Sequence, residues 1–326
     1  MGHPGSSAWD QDNGREDEGV DMNAQERPPA VIVGVDGRPA AHAALLWATE
    51  VAARRGERLR IVHGLETPMV TGTYSGTERH QADERAREAG RRLLDESVEH
   101  ARALRPELEV ATVLASEGAP EVLLDEARHG DLIVVGSRGL GAIRAIMLGS
   151  VSVRTSAHAP CPVIVVPETA TQHRGRIVVG VDGSESSRRA LRFALRHALL
   201  VDASVEVVNS WEVPLPQDSE SQATDARSLH EEVFDRQSEE IVAGVLAEVI
   251  DDETEDLDIS AVRMQSDPVK ALLDAGREAE LIVVGSRGRG GVRGLVMGST
   301  SQEVLRQARV PVAVLPPHSE ETGQGP

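Results

Sequence analysis

The sequence predicts two tandem, doubly wound α/β domains, each built on a five-stranded parallel sheet. The length of 326 residues exceeds what one hydrophobic core usually fills, so two domains are expected. Aromatic residues make up only 2% of the chain. Short aliphatic runs such as Leu132–Val135 are typical of strands covered on both faces, as in parallel sheets.

The second half of the sequence repeats the first. Val33–Gly37 recurs as Val179–Gly183, at an offset of 146 residues, and Leu132–Gly139 recurs unchanged as Leu281–Gly288, at an offset of 149. Such an offset indicates a duplicated domain rather than a short repeat. The predicted organisation is a disordered acidic tail (1–28), a first domain (29–168), a linker (169–175), a second domain (176–316) and a disordered tail (317–326).

Each copy alternates predicted strands with predicted helices. In the first copy the strands are Ala30–Asp36, Arg58–His63, Glu109–Leu114, Asp131–Gly136 and Pro162–Val166. The helices are Ala40–Arg55, Arg79–Leu104, Glu121–His129 and Ser150–Ala157. The second copy follows the same course, with first and fourth strands at Arg176–Asp182 and Leu281–Gly285. This alternation favours a parallel sheet with right-handed crossovers.

The chain is acidic, with a formal net charge of −19. An acidic surface repels phosphate backbones and anionic lipid, so neither nucleic acid nor a membrane surface is an expected partner. Cys161 is the single cysteine and Lys270 the single lysine. An internal disulfide is therefore impossible, which favours a cytoplasmic location. The lysine-containing phosphate loop of many nucleotide-binding proteins is absent from the sequence.

A glycine-rich loop follows the predicted fourth strand of each copy. It reads Gly136-Ser137-Arg138-Gly139, nine residues, then Gly149-Ser150; the second copy reads Gly285-Ser286-Arg287-Gly288, nine residues, then Gly298-Ser299. Glycines there let the backbone approach a ligand and take positive φ angles. A helix that starts with Ser150 or Ser299 as its N-cap favours phosphate binding. An ordinary glycine-rich turn is the alternative, but identical spacing in two copies favours the phosphate site.

Asp36 and Asp182 end the predicted first strands. Ligands of open α/β sheets lie outside the carboxyl ends of strands, where the strand order reverses. If the first and fourth strands are neighbours there, Asp36 faces Gly136–Gly139 across the crevice. Its carboxylate would accept a hydrogen bond from a ribose hydroxyl or an adenine amino group, or contact a metal ion. A turn-forming Asp-Gly pair is the alternative, stronger for Asp36, before Arg38-Pro39, than for Asp182, before Gly183-Ser184.

On these motifs the chain resembles a tandem universal stress protein, over about residues 29–168 and 174–316. The family pattern Gly-x2-Gly-x9-Gly-(Ser/Thr) is complete in both copies, and the family ending Cys-Pro-Val-x-Val-Val appears at Cys161–Val166 but not at Ala308–Val314. The resemblance implies a Rossmann-like fold, similar to that of the adenine nucleotide alpha hydrolases, with strand order 3-2-1-4-5. It also implies that the two copies pair through their last strands, Pro162–Val166 and Pro311–Leu315.

The resemblance further implies an adenine nucleotide site in each copy, filled by ATP with or without Mg²⁺. In the first copy the site residues would be Gly34, Asp36, Val62, Gly136, Ser137, Arg138, Gly139, Leu140, Gly141, Ala142, Gly149, Ser150 and Val151. In the second they would be Gly180, Asp182, Val208, Gly285, Ser286, Arg287, Gly288, Arg289, Gly290, Gly291, Gly298, Ser299, Thr300 and Ser301.

Family members with this loop are ATP-binding regulators of stress survival, dormancy or growth, so a regulator without efficient catalysis is the leading hypothesis. A homodimer and an unidentified regulatory protein partner are expected with it. A slow ATPase or a self-phosphorylating enzyme is the alternative, since the loop surroundings offer only carboxylates and serines and no lysine. A structural module whose sites stay empty is a third possibility.

Overall fold

The computed structural model describes residues 27–65, 76–137, 149–168, 175–212, 223–288 and 297–316. In the first domain the elements are β1 (Ala30–Gly34), α1 (Pro39–Arg55), β2 (Arg58–Gly64), α2 (Gly76–Leu104), β3 (Val110–Ala115), α3 (Ala119–Glu126), β4 (Leu132–Gly136), α4 (Ser150–His158) and β5 (Val163–Val166). The strand and helix order is the one predicted, with each boundary within a few residues of its expected position.

The second domain repeats this course. Its elements are β6 (Arg176–Gly180), α5 (Glu185–Val201), β7 (Ser204–Trp211), α6 (Ala223–Val249), β8 (Ile259–Gln265), α7 (Pro268–Ala275), β9 (Leu281–Gly285), α8 (Ser299–Gln307) and β10 (Val312–Leu315). A short 3-10 turn, Gly276–Glu278, follows α7. Strands β1 and β6 end two residues earlier than predicted, which leaves Asp36 and Asp182 in the loops beyond them.

The ten strands form one sheet in the order β3-β2-β1-β4-β5-β10-β9-β6-β7-β8. Read from its outer edge inward, each domain has the predicted order 3-2-1-4-5, and its strands pair in parallel. The domains join where β5 and β10 pair in antiparallel fashion, with Ala313 opposite Ile164. The expected pairing of the two last strands is therefore confirmed. The tandem doubly wound fold is confirmed with it.

Helices cover both faces of the sheet because successive strand residues point to opposite sides. In β1, Val31 and Val33 pack into one apolar cluster, whose helical members come from α1, α2, α5 and α6. Ile32 packs into the other, whose helical members come from α3, α7 and α8, with residues of α4 packed against it. Burying an aliphatic side chain of this size contributes roughly 1.5–3 kcal/mol. This two-sided burial explains why the strands read as unbroken aliphatic runs.

The helix that follows the first strand begins differently in the two domains. Helix α1 begins with Pro39 after Arg38, whose side chain makes no capping hydrogen bond. Helix α5 begins after Ser184, whose side chain accepts a hydrogen bond from the backbone N–H of Ser187 at 3.2 Å. Each of these helix starts lies at the carboxyl end of its sheet half, next to the crevice where the strand order reverses.

Candidate functional site

The crevice of the second domain brings the predicted aspartate and glycine loop together. Strands β6 and β9 are hydrogen-bonded neighbours, so the residues after their carboxyl ends meet at the reversal of strand order. A Cβ atom placed on Gly288 would lie 2.5 Å from Oδ2 of Asp182. In this domain the aspartate after the first strand therefore faces the glycine loop, which is the arrangement expected for Asp36 in the first domain. In the first domain β1 and β4 are neighbours in the same way.

A cavity of about 460 Å³ opens at this crevice, a size typical of small-molecule sites. Most of the residues predicted for the second site line it. These are Gly180, Asp182, Val208, Gly285, Arg287, Gly288, Gly298, Ser299, Thr300 and Ser301. Ser286 is fully buried and lies outside the lining. Its N–H donates to Leu315, and its carbonyl accepts from the N–H of Gly298 at 2.7 Å, so it joins β9, β10 and the start of α8.

The cavity also has lining residues that the sequence did not single out. They are Val181, Ser187, Ser210, Pro268, Leu272, Val284 and Met297. Pro268 and Leu272 belong to α7, which begins after the third strand of the domain, and the carboxyl end of that strand also borders the crevice. The sequence signal was present, since Asp267 and Pro268 are typical of a helix start. Asp267 caps α7 by accepting from the N–H of Lys270 at 2.9 Å.

Asp36 and Asp182 each form a turn after the first strand of their domain, and Asp182 also lines the cavity. Oδ1 of Asp182 accepts a hydrogen bond from the N–H of Ser184 at 2.9 Å, and Oδ1 of Asp36 accepts one from the N–H of Arg38 at 3.0 Å. The following Gly183 takes a φ of +80°, which favours glycine. The turn-forming interpretation is therefore realised in both domains. In the second domain Oδ2 of the same carboxylate faces the glycine loop, so the two interpretations are compatible.

The glycines that end β4 and β9 also allow close packing, and the expectation that they take positive φ angles is wrong. A Cβ atom on Gly136 would lie 2.5 Å from the carbonyl carbon of Ala40 and 2.7 Å from the backbone nitrogen of Ala41. On Gly285 it would collide with the side chain of Ser186. Neither glycine has a positive φ. Each lets the helix after the first strand approach the end of the fourth.

The helix that follows each glycine loop begins one residue earlier than predicted. The N-caps are Gly149 for α4 and Gly298 for α8, and neither makes a side-chain capping hydrogen bond. The prediction that Ser150 and Ser299 are N-caps is therefore wrong, because both occupy the first helical position. Without a capping side chain, the first-turn amides of each helix are available to a ligand.

A serine in the first turn ties each of these helices to its neighbouring strand. Oγ of Ser152 donates to the carbonyl oxygen of Gly136 at 3.1 Å, and Oγ of Ser301 donates to that of Gly285 at 2.6 Å. Ser301 was predicted as a ligand residue and lines the cavity. Its counterpart Ser152 was not named from the sequence. The equivalent bond in each copy fixes the helix start relative to the end of the fourth strand.

The other residues predicted for the first site have the following positions. Val62 is buried in β2, Gly34 is half-buried at the end of β1, and Ser137 donates its N–H to Val166 at 2.8 Å. Ser150 is exposed and Val151 is half-buried on α4. The remaining predicted residues of both loops lie outside the described residues: Arg138, Gly139, Leu140, Gly141, Ala142, Arg289, Gly290 and Gly291.

Cys161, the single cysteine, is buried and is not among the residues that line the cavity. Burial raises the pKa of the Cys161 thiol to about 12, and the nearby Asp131 carboxylate adds to the effect. This agrees with a core cysteine rather than a nucleophile.

Within the described ranges no group of three or more His, Cys, Asp or Glu side chains is arranged to hold a metal ion. Nor does any helix in those ranges have the length and apolar character needed to cross a membrane.

The fold and the crevice define a tandem α/β protein with a ligand-sized cavity at a reversal of strand order. The model of the universal stress protein family matches residues 29–167 and 173–316. The chain therefore belongs to the universal stress protein family.

Relatives of the same two-domain length are found in mycobacteria. A universal stress protein of Mycobacterium tuberculosis is 30% identical over 308 residues, which cover 90% of this chain and 98% of that protein. One of Mycobacterium bovis is 30% identical over 315 residues, covering 90% and 96%. The crystal structure of a universal stress protein from Archaeoglobus fulgidus has a TM-score of 0.60 at 20% identity, covering 88% of this chain and 98% of that one. This likeness supports the fold.

Proposed function

We propose that this protein binds an adenine nucleotide, ATP with or without Mg²⁺, and acts as a nucleotide-dependent regulator without efficient catalysis. The site is the cavity of the second domain, with a counterpart in the first. One observation carries the proposal: the same cavity of about 460 Å³ holds an uncapped helix start, an apolar wall and a carboxylate. These are the groups that a phosphate, a base and a ribose require.

The phosphate end of the proposed site is the start of α8. Ser299, Thr300 and Ser301 form its first turn and line the cavity. Their backbone N–H groups have no acceptor within the helix, and the helix dipole adds partial positive charge at this end. Arg287 supplies a full positive charge at the cavity wall. These local groups let a chain of net charge −19 hold an anion.

The nucleoside end of the proposed site lies toward β7 and α7. Val208, Leu272 and Met297 give the cavity an apolar wall on which a base can rest. Asp182 is half-buried beside it. Its carboxylate is a hydrogen-bond acceptor for ribose hydroxyls or an amino group, and it is also the cavity group best suited to contact Mg²⁺.

The composition of the described lining favours the proposed regulatory role over efficient turnover. The described lining contains no lysine, histidine or glutamate, and efficient phosphoryl transfer needs a positioned base together with a metal clamp. We propose that a protein partner distinguishes the nucleotide-loaded from the empty state by differential affinity.

We also propose a cytoplasmic location and a homodimer. The single cysteine supports the location, and light scattering on the purified protein tests the homodimer.

The direct test is nucleotide binding by the full chain. Any small molecule released by heating the purified protein is identified by chromatography, and ATP with Mg²⁺ is then titrated under hydrogen–deuterium exchange. First-turn amides of a helix exchange readily unless a ligand holds them, so we expect ATP-dependent protection of residues 297–303. ATP turnover is measured on the same sample. Absence of any bound nucleotide and of any protection contradicts the proposal, and many turnovers per minute favour an ATPase.

Gly288→Val is the variant that blocks the site with least damage to the fold. Its new side chain meets the carboxylate end of Asp182, so it fills the crevice from the ligand side. We expect a loss of ATP affinity in the second domain of at least about 100-fold, equivalent to about 2.7 kcal/mol. Gly285 is a poor choice for this test because its substitution also collides with Ser186 of α5. Asp182→Ala is the milder companion, with an expected loss of about tenfold.

A further inference from the structure

The backbone carbonyl next to Asp182 is held by a buried side chain from the neighbouring strand. Val181 follows β6, and its N–H continues the ladder by donating to Val208 at 2.9 Å. Its carbonyl oxygen accepts a hydrogen bond from Nδ2 of Asn209 at 2.7 Å. Asn209 is only 5% exposed. Both backbone hydrogen-bonding groups of Val181, the N–H and the carbonyl, are therefore held in place next to Asp182.

Asn209 is in turn oriented by the helix packed over the sheet. Oγ of Ser238, on α6, donates to Oδ1 of Asn209 at 2.6 Å, and Ser238 is 1% exposed. Because Oδ1 is the acceptor from this hydroxyl, the amide NH₂ group must face Val181. A buried network whose members satisfy one another holds a single arrangement, and removal of one member leaves the others unpaired.

The first domain keeps the same hydrogen bond with a different side chain. His63 occupies the position of Asn209, at the offset of 146 residues. Its Nδ1 lies 2.8 Å from the carbonyl oxygen of Val35, the residue before Asp36. The imidazole and carboxamide side chains differ in size and chemistry, but both carry an N–H donor at a similar distance from the backbone. Each copy thus supplies a side-chain donor to the backbone carbonyl of the residue before its aspartate.

Asn209 faces away from the cavity, so it acts through the backbone. Its neighbours Val208 and Ser210 line the cavity, and alternate residues of a strand point to opposite faces. Asn209 instead points toward α6. We infer that Asn209 and Ser238 are positioning residues of the nucleotide site in the second domain, which set the place of Asp182 through the carbonyl of Val181. This inference rests on the function proposed above.

The test replaces Asn209 with an apolar residue of similar size. Asn209→Leu removes both hydrogen bonds of the side chain. The affinity for ATP with Mg²⁺ is read on the full chain from the protection of residues 297–303 against hydrogen exchange, which reports the second domain alone. We expect the Kd of this site to rise by at least about tenfold, because the loss of one buried hydrogen-bond network costs of the order of a tenfold change. Circular dichroism verifies that the variant is folded.

Two further variants separate positioning from general support of the fold. In the first domain a Cβ atom on Gly90 of α2 would lie 3.0 Å from Cδ2 of His63, so a histidine at position 209 needs a glycine in place of Ser238. Asn209→His combined with Ser238→Gly therefore installs the donor that the first domain uses, and we expect this protein to bind ATP within about threefold of the wild type. His63→Leu makes the matched change in the first domain and leaves the Kd of the second unchanged. If Asn209→Leu does not fold, Ser238→Ala provides the milder test, with an expected rise in Kd of about threefold.

Three results overturn the inference. The first is a folded Asn209→Leu protein, or a folded Ser238→Ala protein where Asn209→Leu does not fold, with the Kd of the wild type. The second is a folded Asn209→His/Ser238→Gly protein that binds as weakly as Asn209→Leu. The third is a His63→Leu protein in which the second site weakens as much as in Asn209→Leu. A wild-type chain that binds no ATP is a different result, since it removes the proposed function itself.

Discussion

The two domains share one fold but build the corner after the first strand differently. In the first domain Asp36 is exposed, and its Oδ2 lies 3.8 Å from Nε of the exposed Arg38. In the second domain Asp182 is half-buried against the glycine loop. There Ser184 caps α5, and Nη1 of Arg188 donates to the carbonyl oxygen of Gly183 at 2.7 Å.

This difference shows which parts of a duplicated site tolerate change. Both copies keep the Asp-Gly turn, the glycine that ends the fourth strand, the uncapped helix after the loop and the serine in its first turn. The cap of the helix after the first strand and the donor to the strand-end carbonyl have diverged in residue type. The invariant parts are those that shape the crevice, and the divergent parts are those that stabilise it from outside.

The first prediction concerns the two strand-end glycines and has the largest expected effect on stability. In Gly136→Ala the added methyl group meets backbone atoms of Ala40 and Ala41, which cannot move without moving α1. We expect a loss of about 3 kcal/mol in the free energy of unfolding, at the upper end for overpacking. In Gly285→Ala the methyl group mainly meets the side chain of Ser186, so the expected loss is about 1–2 kcal/mol. Urea denaturation measures both.

Suppressor variants provide the control for this comparison. Ser186→Gly removes the side chain that collides with the methyl group added at position 285, so in the double variant it should restore part of the stability lost in Gly285→Ala. Ala40→Gly should restore nothing in Gly136→Ala, because there the colliding atoms belong to the backbone. Equal losses in the two single variants, with no rescue in either domain, would show that the two contacts are equivalent.

The second prediction concerns the contact between the domains. Position 51 on α1 and position 197 on α5 are equivalent by the offset of 146 residues, and they hold Val51 and His197. His197 stacks between Trp47 and Phe193, with ring-centroid distances of 5.9 and 5.8 Å. Neither of its ring nitrogens has a hydrogen-bond partner. The duplication thus placed a titratable ring at position 197 of α5, where α1 has valine at the equivalent position.

Acid should weaken this contact. Burial lowers the pKa of His197 to about 4, and the charges of Arg55 and Arg54 on α1 add to the effect. Glu57 pairs with Arg55 at 2.8 Å. Because the unfolded chain binds the proton more tightly, with a pKa near 6.5, stability is complete above about pH 7 and falls as the pH approaches 4. We expect about 2 kcal/mol less unfolding free energy at pH 5 than at pH 7 from this residue.

His197→Val is the matched variant for this prediction, because valine is the residue at the equivalent position of the first domain. Its unfolding free energy, measured by urea denaturation at pH 5, 6 and 7, should change with pH by about 2 kcal/mol less than that of the wild type. The wild type and the variant would show the same pH profile if His197 took up its proton freely in the folded chain, and the prediction would then be wrong.

The fold could be predicted because its signals are local and occur twice. Runs such as Leu132–Val135 identify strands buried on both faces, and parallel order brings Asp182 to the glycine loop. The role of Gly136 could not be predicted, since it depends on how closely α1 passes a strand about 100 residues away. The stacking of His197 on Trp47 likewise depends on the packing of two domains. The N-cap was misplaced by one residue because Gly149 and Ser150 are both acceptable at a helix start.

The third prediction exchanges the caps of α1 and α5 and has the smallest expected effect. Ser184→Ala removes the acceptor for the N–H of Ser187, and we expect a loss of about 1 kcal/mol in unfolding free energy. Arg38→Ser introduces a cap on α1 and should add about 0.5 kcal/mol. The exposed ion pair that Arg38 makes with Asp36 contributes little to stability. The turn itself persists in the variant because its hydrogen bond is donated by the backbone N–H of residue 38.

Whether Arg38→Ser raises or lowers the free energy of unfolding shows how the turn between β1 and α1 is stabilised. A gain in the urea midpoint means that α1 lacks a cap which serine can supply, so that the two corners differ only in their stabilisation. A loss means that Arg38 stabilises the exposed carboxylate of Asp36 more than a cap would, and that the first domain has replaced capping by an ion pair. Repeating the measurement at high salt separates the two cases, since salt weakens an exposed ion pair and leaves a cap nearly unaffected.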